Sequence, residues 1–129
     1  KKAIMLTIQS TTQALGRKFM QEQEVVNNLS NMIMELYEIE SMALRIEKLE
    51  SLKGTTDIYR NMLDVITYDA ASLIRKNAKD AIYSSIDDSN EAENLVKAVK
   101  TLTRVEGVNV MKARRAIADK LIEENEYKF

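Results

Sequence analysis

The chain of 129 residues is the length of one ordinary domain, and a domain of that size buries enough surface to fold without metal or disulfide. A net charge of −1 and a pI near 5.6 give no electrostatic case for nucleic acid, and 45% hydrophobic with 30% charged residues are ordinary globular proportions. Cysteine and histidine are both absent, which excludes thiolate and imidazole zinc sites, Cys-His pairs, Ser-His-Asp triads and the Glu-x-x-His motifs of di-iron bundles. No apolar run is long enough to cross a bilayer: Ala3 to Ile8 is too short, and Glu35 and Glu38 interrupt Met32 to Ile39. The chain opens on Lys1-Lys2, and AIMLTIQSTTQA is too polar for a secretory core, so Lys1 is read as a cut inside a larger protein.

With no proline and glycine only at positions 16, 54 and 107, an all-α fold follows. The first segment, Lys2 to Phe19, carries Ile4, Ile8, Ala14 or Leu15, and Phe19, and its helix either stops at Gly16 or continues through it. From Val25 the residues Leu29, Met32, Leu36, Ile39, Ala43 and Ile46 alternate steps of four and three, the seam of a long helix, with Ile33, Leu44 and Leu49 widening the stripe. That helix should stop near Lys53, where Gly54 can take a left-handed conformation and Thr55 or Thr56 can cap the next helix ahead of Asp57. A second long helix then carries Tyr59, Met62, Leu63, Ile66, Ala70, Leu73, Asn77 and Ala81, up to a polar linker, SSIDDSN. Asn90 and Glu93 form a capping-box pattern for the third, whose apolar set is Leu95, Val96, Val99 and Leu102. The pattern resumes after Gly107 with Val110, Ile117, Leu121 and Ile122, and a break at Gly107 is expected. The prediction is one domain over residues 1–129, an up-down antiparallel bundle of four main helices with a kink or further break near Gly107.

Four groups of residues could form a site. Glu35 and Glu38, with Glu22, Glu24, Glu40 and Glu47, could offer oxygen ligands to a hard cation, but they fall off the seam and read as a solvated face. Met32 belongs to the seam; Met34 and Met42 do not, and either meet a second surface or stand exposed. The last forty residues carry Lys97, Lys100, Arg104, Lys112, Arg114, Arg115 and Lys120, a basic stretch that could touch anionic lipid or a phosphate, although Glu123, Glu124 and Glu126 follow at once. Arg75, Lys76 and Lys79 read as a solvated face in the same way. Tyr37, Tyr59, Tyr68, Tyr83 and Tyr127 could stack on a flat ligand, but no glycine-rich phosphate loop precedes a helix. No catalytic, cofactor-binding or metal-ligating residue is nominated.

The stretch KFMQEQEVVNNLSNMIMELYEIESMALR resembles the C-terminal helical extension of long-chain and very-long-chain acyl-CoA dehydrogenases, in Gln21 to Gln23, Leu29, Glu35-Leu36-Tyr37 and Ser41-Met42-Ala43. MLDVITYDAASLIRK is similar to the following helix of that family, in Met62-Leu63, Ala70-Ala71 and Ile74-Arg75. The resemblance covers roughly residues 13 to 80, beyond which only helical character agrees through residue 129. It implies a non-catalytic helical bundle packed on a flavoprotein core or a subunit interface of a homo-oligomer. FAD, the acyl-CoA pocket and the catalytic glutamate would then belong to the core, and the parent reaction would be α,β-dehydrogenation of a fatty acyl thioester. The family's very-long-chain mitochondrial members attach to membranes through this region; this sequence shows no conspicuous amphipathic anchor, which suits a cytoplasmic relative. From a different class, an unrelated helical interaction module would bind a partner helix through Met34 and Met42.

Overall fold

A computed structural model describes residues 1–54 and 57–125. Among them the regular structure is entirely helical: α1 (Lys2–Leu15), a 3₁₀ turn (Gly16–Gln21), α2 (Gln23–Lys53), α3 (Asp57–Ser85), α4 (Ser89–Leu102) and α5 (Val110–Glu124). The chain is therefore all-α, as its composition predicts, and the described residues hold five α-helices, the four main ones expected and the one that a further break near Gly107 adds.

Two breaks separate helices that the apolar pattern alone could have run together. Gly16 has φ 52 and ψ −122, a conformation favourable only to glycine, and its N–H closes α1 on the carbonyl of Thr12. The first helix thus stops at Gly16 instead of running into α2. The second break spans Thr103 to Asn109 and includes Gly107, where the interruption was expected. Gly54, at φ 86, ends α2 with its N–H on the carbonyl of Glu50 at 3.0 Å. Thr55 and Thr56, expected to cap α3, lie outside the described residues.

The linker before α4 is also corrected. Asp88, not Asn90, caps that helix: its carboxylate accepts from the N–H of Asn90 at 2.8 Å and of Glu91 at 3.1 Å. A sequence of four successive cap-forming residues, Asp87 to Asn90, offers several equivalent starts, of which the structure takes the second. Asn109 caps α5 in the same manner, accepting from Lys112 N–H at 3.0 Å.

The helices divide into two compact units. The first, Lys1–Tyr37 with Ala70–Arg104, holds α1, α4 and portions of α2 and α3. Its core is Ala3, Ile4, Val25, Leu29, Met32, Ala70, Ala71, Ile74, Ala78, Ala81, Ile82, Ile86, Ala92 and Val99. Alanines on one face of α3 let neighbouring backbones approach, and branched or long residues fill the gaps. The part of α1 that meets this core does so partly through threonine. Thr7 and Thr11 are fully buried, and each hydroxyl donates to the carbonyl four residues back, Ala3 at 2.9 Å and Thr7 at 2.8 Å. The burial is tolerable because the only polar hydrogen is already satisfied within the helix. Ala14, one of two alternatives for the seam, is exposed. Asn31 and Asn77, joined by a long 3.4 Å hydrogen bond between α2 and α3, stand equidistant in sequence from Gly54.

The second unit, Glu38–Asp69 with Val105–Phe129, holds the remainder of α2 and α3 together with α5. Its buried hydrophobic residues are Ile46, Tyr59 and Ala113, and Arg114 reaches Asp69 at 2.6 Å. Within this unit Leu44, expected to widen the α2 seam, is exposed, as are Leu52, Met111 and Ile122.

Candidate functional site

The residues singled out in the sequence scatter rather than converge. Glu22, Glu24, Glu38 and Glu47 are exposed, Glu35 and Glu40 half-buried, and among the described residues no group of three or more carboxylates could hold a metal ion. Met32 is fully buried, Met42 half-buried and Met34 59% exposed, so the two off-seam methionines have different surroundings.

Half of the basic residues singled out, Arg75, Lys76, Lys97, Arg114 and Lys120, are engaged through their side chains. Lys76 meets Asp80 at 2.6 Å, Lys97 meets Glu93 at 3.7 Å and Lys120 meets Glu124 at 2.7 Å. The hydrogen bond and charge of Glu124 raise the Lys120 ammonium above the usual lysine range. Such exposed pairs contribute little to stability, but each cancels part of the field that an anionic surface or phosphate would feel. Arg75 departs from its reading as part of a solvated face. It is half-buried, and its guanidinium donates from Nε to Thr103 Oγ1 at 3.0 Å and from a terminal nitrogen to Thr103 O at 2.8 Å. It therefore caps the C-terminus of α4 from α3, a cation at the negative end of a helix.

Of the tyrosines, Tyr59 is buried, Tyr37 is 74% exposed, Tyr83 and Tyr68 are partly exposed, and Tyr127 and Glu126 lie outside the described residues. Two clefts open within the units. One, of about 480 Å³ in the first unit, runs between Gln9, Ser10 and Gln13 of α1 and the Ser85 to Asp88 linker. The other, of about 360 Å³ in the second, places Asn61 and Asp64 opposite Glu106 to Asn109. In each, one polar side chain is committed to a helix end: Asp88 and Asn109 line the clefts as caps. In the first cleft the hydroxyls of Ser10 and Ser85 donate to the helix carbonyls of Thr7 at 3.1 Å and Ala81 at 2.7 Å.

What stands out instead is a second face of α2. Ile33 is 50%, Met34 59% and Tyr37 74% exposed, within little more than one turn. Ile33 was expected to widen the buried seam; it lies on the outward side. Position 33 is one residue past seam residue 32, and a one-residue step turns a helix by about 100°, which carries the side chain off the core. The signal that could have found this face was a parallel set at Val26, Ser30, Ile33 and Tyr37, offset by one from Val25, Leu29, Met32 and Leu36.

The family model "Acyl-CoA dehydrogenase, C-terminal domain" matches residues 1–101. The chain belongs to that family. It is 25% identical over 129 residues to a probable acyl-CoA dehydrogenase of Bacillus subtilis (strain 168), covering 98% of this chain and 22% of the relative. It also superposes on the crystal structure of an acyl-CoA dehydrogenase from Bacillus anthracis complexed with FAD. The TM-score is 0.91 at 25% identity, covering 99% of this chain and 22% of that one. The chain thus spans under a quarter of the length of these relatives. The family match begins at residue 1 and passes residue 90, so α1 and most of α4 share the likeness that the sequence pattern carried between residues 13 and 80. Among the described residues no helix is long and apolar enough to cross a membrane.

Proposed function

We propose that this chain is a non-catalytic helical domain of an FAD-dependent acyl-CoA dehydrogenase, packing against the flavoprotein core of its own polypeptide or against a subunit interface. The supporting observation is the 0.91 TM-score over 99% of the chain, together with the family match over residues 1–101. A domain that supports a flavoenzyme needs rigid helices and an uncommitted apolar surface, and needs no reactive group of its own. The 129 residues act as one domain, with an up-down helix order suggested by the hairpin register about Gly54.

The parent reaction is α,β-dehydrogenation of a fatty acyl thioester, with FAD and the carboxylate base supplied outside these residues. The Glu35-Leu36-Tyr37 resemblance points to the long-chain branch, and the cytoplasm is the compartment proposed. The test is the complete gene product, purified and scanned for flavin absorbance and for acyl-CoA-dependent reduction of an electron acceptor. A flavin band with acyl-CoA turnover in the parent, and neither in residues 1–129 alone, is the expected result. A parent without flavin, or turnover by the 129 residues alone, would refute the proposal.

A further inference from the structure

We infer that the outward face of α2 formed by Ile33, Met34 and Tyr37 is the surface on which the flavoprotein part of the parent polypeptide seats; this rests on the functional reading above and names the face involved. The three residues present on the order of 400 Å² to solvent, within the range of the largest apolar patch on a typical soluble protein, a patch that often has a function. Charge is the second observation. From Val25 to Tyr37 the only charged residue is Glu35, although 30% of the whole chain is charged. A helix face selected for water alone would carry its share of lysines and glutamates. Here the exposed positions are Asn27, Ser30, Ile33, Met34 and Tyr37, with Val26 half-buried beside them, at helical spacing. Ser30 does not break the apolar character, because its hydroxyl donates to the carbonyl of Val26 at 2.9 Å and asks nothing of a partner.

The occupant follows from the extent of the likeness. The relatives that match this chain almost end to end are covered by it for only 22% of their length, so most of such a polypeptide lies outside these residues and is tethered to them. Tethering raises the effective concentration of that segment far above that of any free partner, so an uncharged face of modest area is covered by it first. The thioether of Met34 and the ring of Tyr37 suit such a contact: one adapts to irregular surface, the other is large and loses little entropy.

Cysteine scanning tests the assignment directly, since residues 1–129 contain no cysteine. In the flavin-loaded full-length parent, Ile33→Cys and Tyr37→Cys are compared with Glu24→Cys, exposed on another side of the same helix, and with Lys79→Cys on α3. Maleimide labelling at each site is followed by peptide mass spectrometry at two protein concentrations. The face cysteines should react at least about tenfold more slowly than both controls at either concentration. Equal rates would overturn the inference. Protection that vanishes on dilution would overturn it in favour of a second copy. If Tyr37→Cys does not fold, Met34→Cys takes its place. A parent that lacks flavin defeats the functional reading and the named occupant together, whereas fast labelling in a flavin-loaded parent defeats the face alone.

Discussion

Replacing Arg75 by methionine keeps the aliphatic stem of the side chain and removes the guanidinium that holds the end of α4. Two hydrogen bonds are lost, from Nε to Thr103 Oγ1 at 3.0 Å and from a terminal nitrogen to Thr103 O at 2.8 Å. A hydrogen bond to a charged group contributes about 1.5–3 kcal/mol in a buried setting, but Arg75 is only half-buried and water takes over part of the loss. The expected destabilisation by Arg75→Met is therefore about 2 kcal/mol for both bonds together, which for a chain of this size lowers Tm by about 6–10 °C. Arg75→Lys should restore no more than about half, because a single ammonium cannot span two oxygens as a planar fork does. Thr103→Val removes one acceptor and leaves the carbonyl, and should cost about 1 kcal/mol. The double variant then isolates the Nε to Oγ1 contact, with a coupling of about 1 kcal/mol. Urea unfolding of the 129-residue chain, followed by far-ultraviolet circular dichroism, measures all four. A loss below about 0.5 kcal/mol for Arg75→Met would show that the guanidinium is solvated and that α4 ends without it, and a coupling of zero would show that the Nε to Oγ1 contact contributes nothing.

Other substitutions test separate parts of the structure by the same unfolding measurement. Met32→Ala, at a fully buried position, should cost about 3 kcal/mol, whereas Met34→Ala should stay within about 0.5 kcal/mol in the 129-residue chain; equal losses would mean that the two faces of α2 are wrongly assigned. Thr7→Val should be neutral or stabilising by up to about 1 kcal/mol, since the lost hydroxyl leaves the carbonyl of Ala3 bonded within the helix and a methyl is buried in its place. A loss larger than 1 kcal/mol would reveal a further partner of that hydroxyl. Asp88→Ala should cost about 1 kcal/mol and Asn90→Ala close to nothing, and the reverse order would return the cap to Asn90. Gly16→Ala should cost about 1–2 kcal/mol through backbone strain alone, because an added methyl there meets no atom within 4 Å.

The sequence by itself determined the helical class, the buried seam of α2 through Val25, Leu29 and Met32, the stop at Gly54 and the interruption around Gly107. Each of these rests on interactions local to a few turns of chain: the repeat of apolar residues at three and four, and the conformational freedom of glycine. The resemblance in Glu35-Leu36-Tyr37 and Ile74-Arg75 was legible for the same reason, since short segments carry it. Tertiary structure decided what depends on neighbours distant in sequence. Arg75 reads like any surface cation until α4 places Thr103, 28 residues away, against it. Thr7 and Thr11 read as polar until packing buries them and their hydroxyls turn back to the helix. Ile33 reads as core by composition, and only the direction from which the other helices approach α2 assigns Met32 to the interior and leaves Ile33, Met34 and Tyr37 facing out. Periodicity states that a helix has an apolar stripe; which of two adjacent stripes is covered within the chain, and which is left for another surface, is fixed by the packing of the remaining helices.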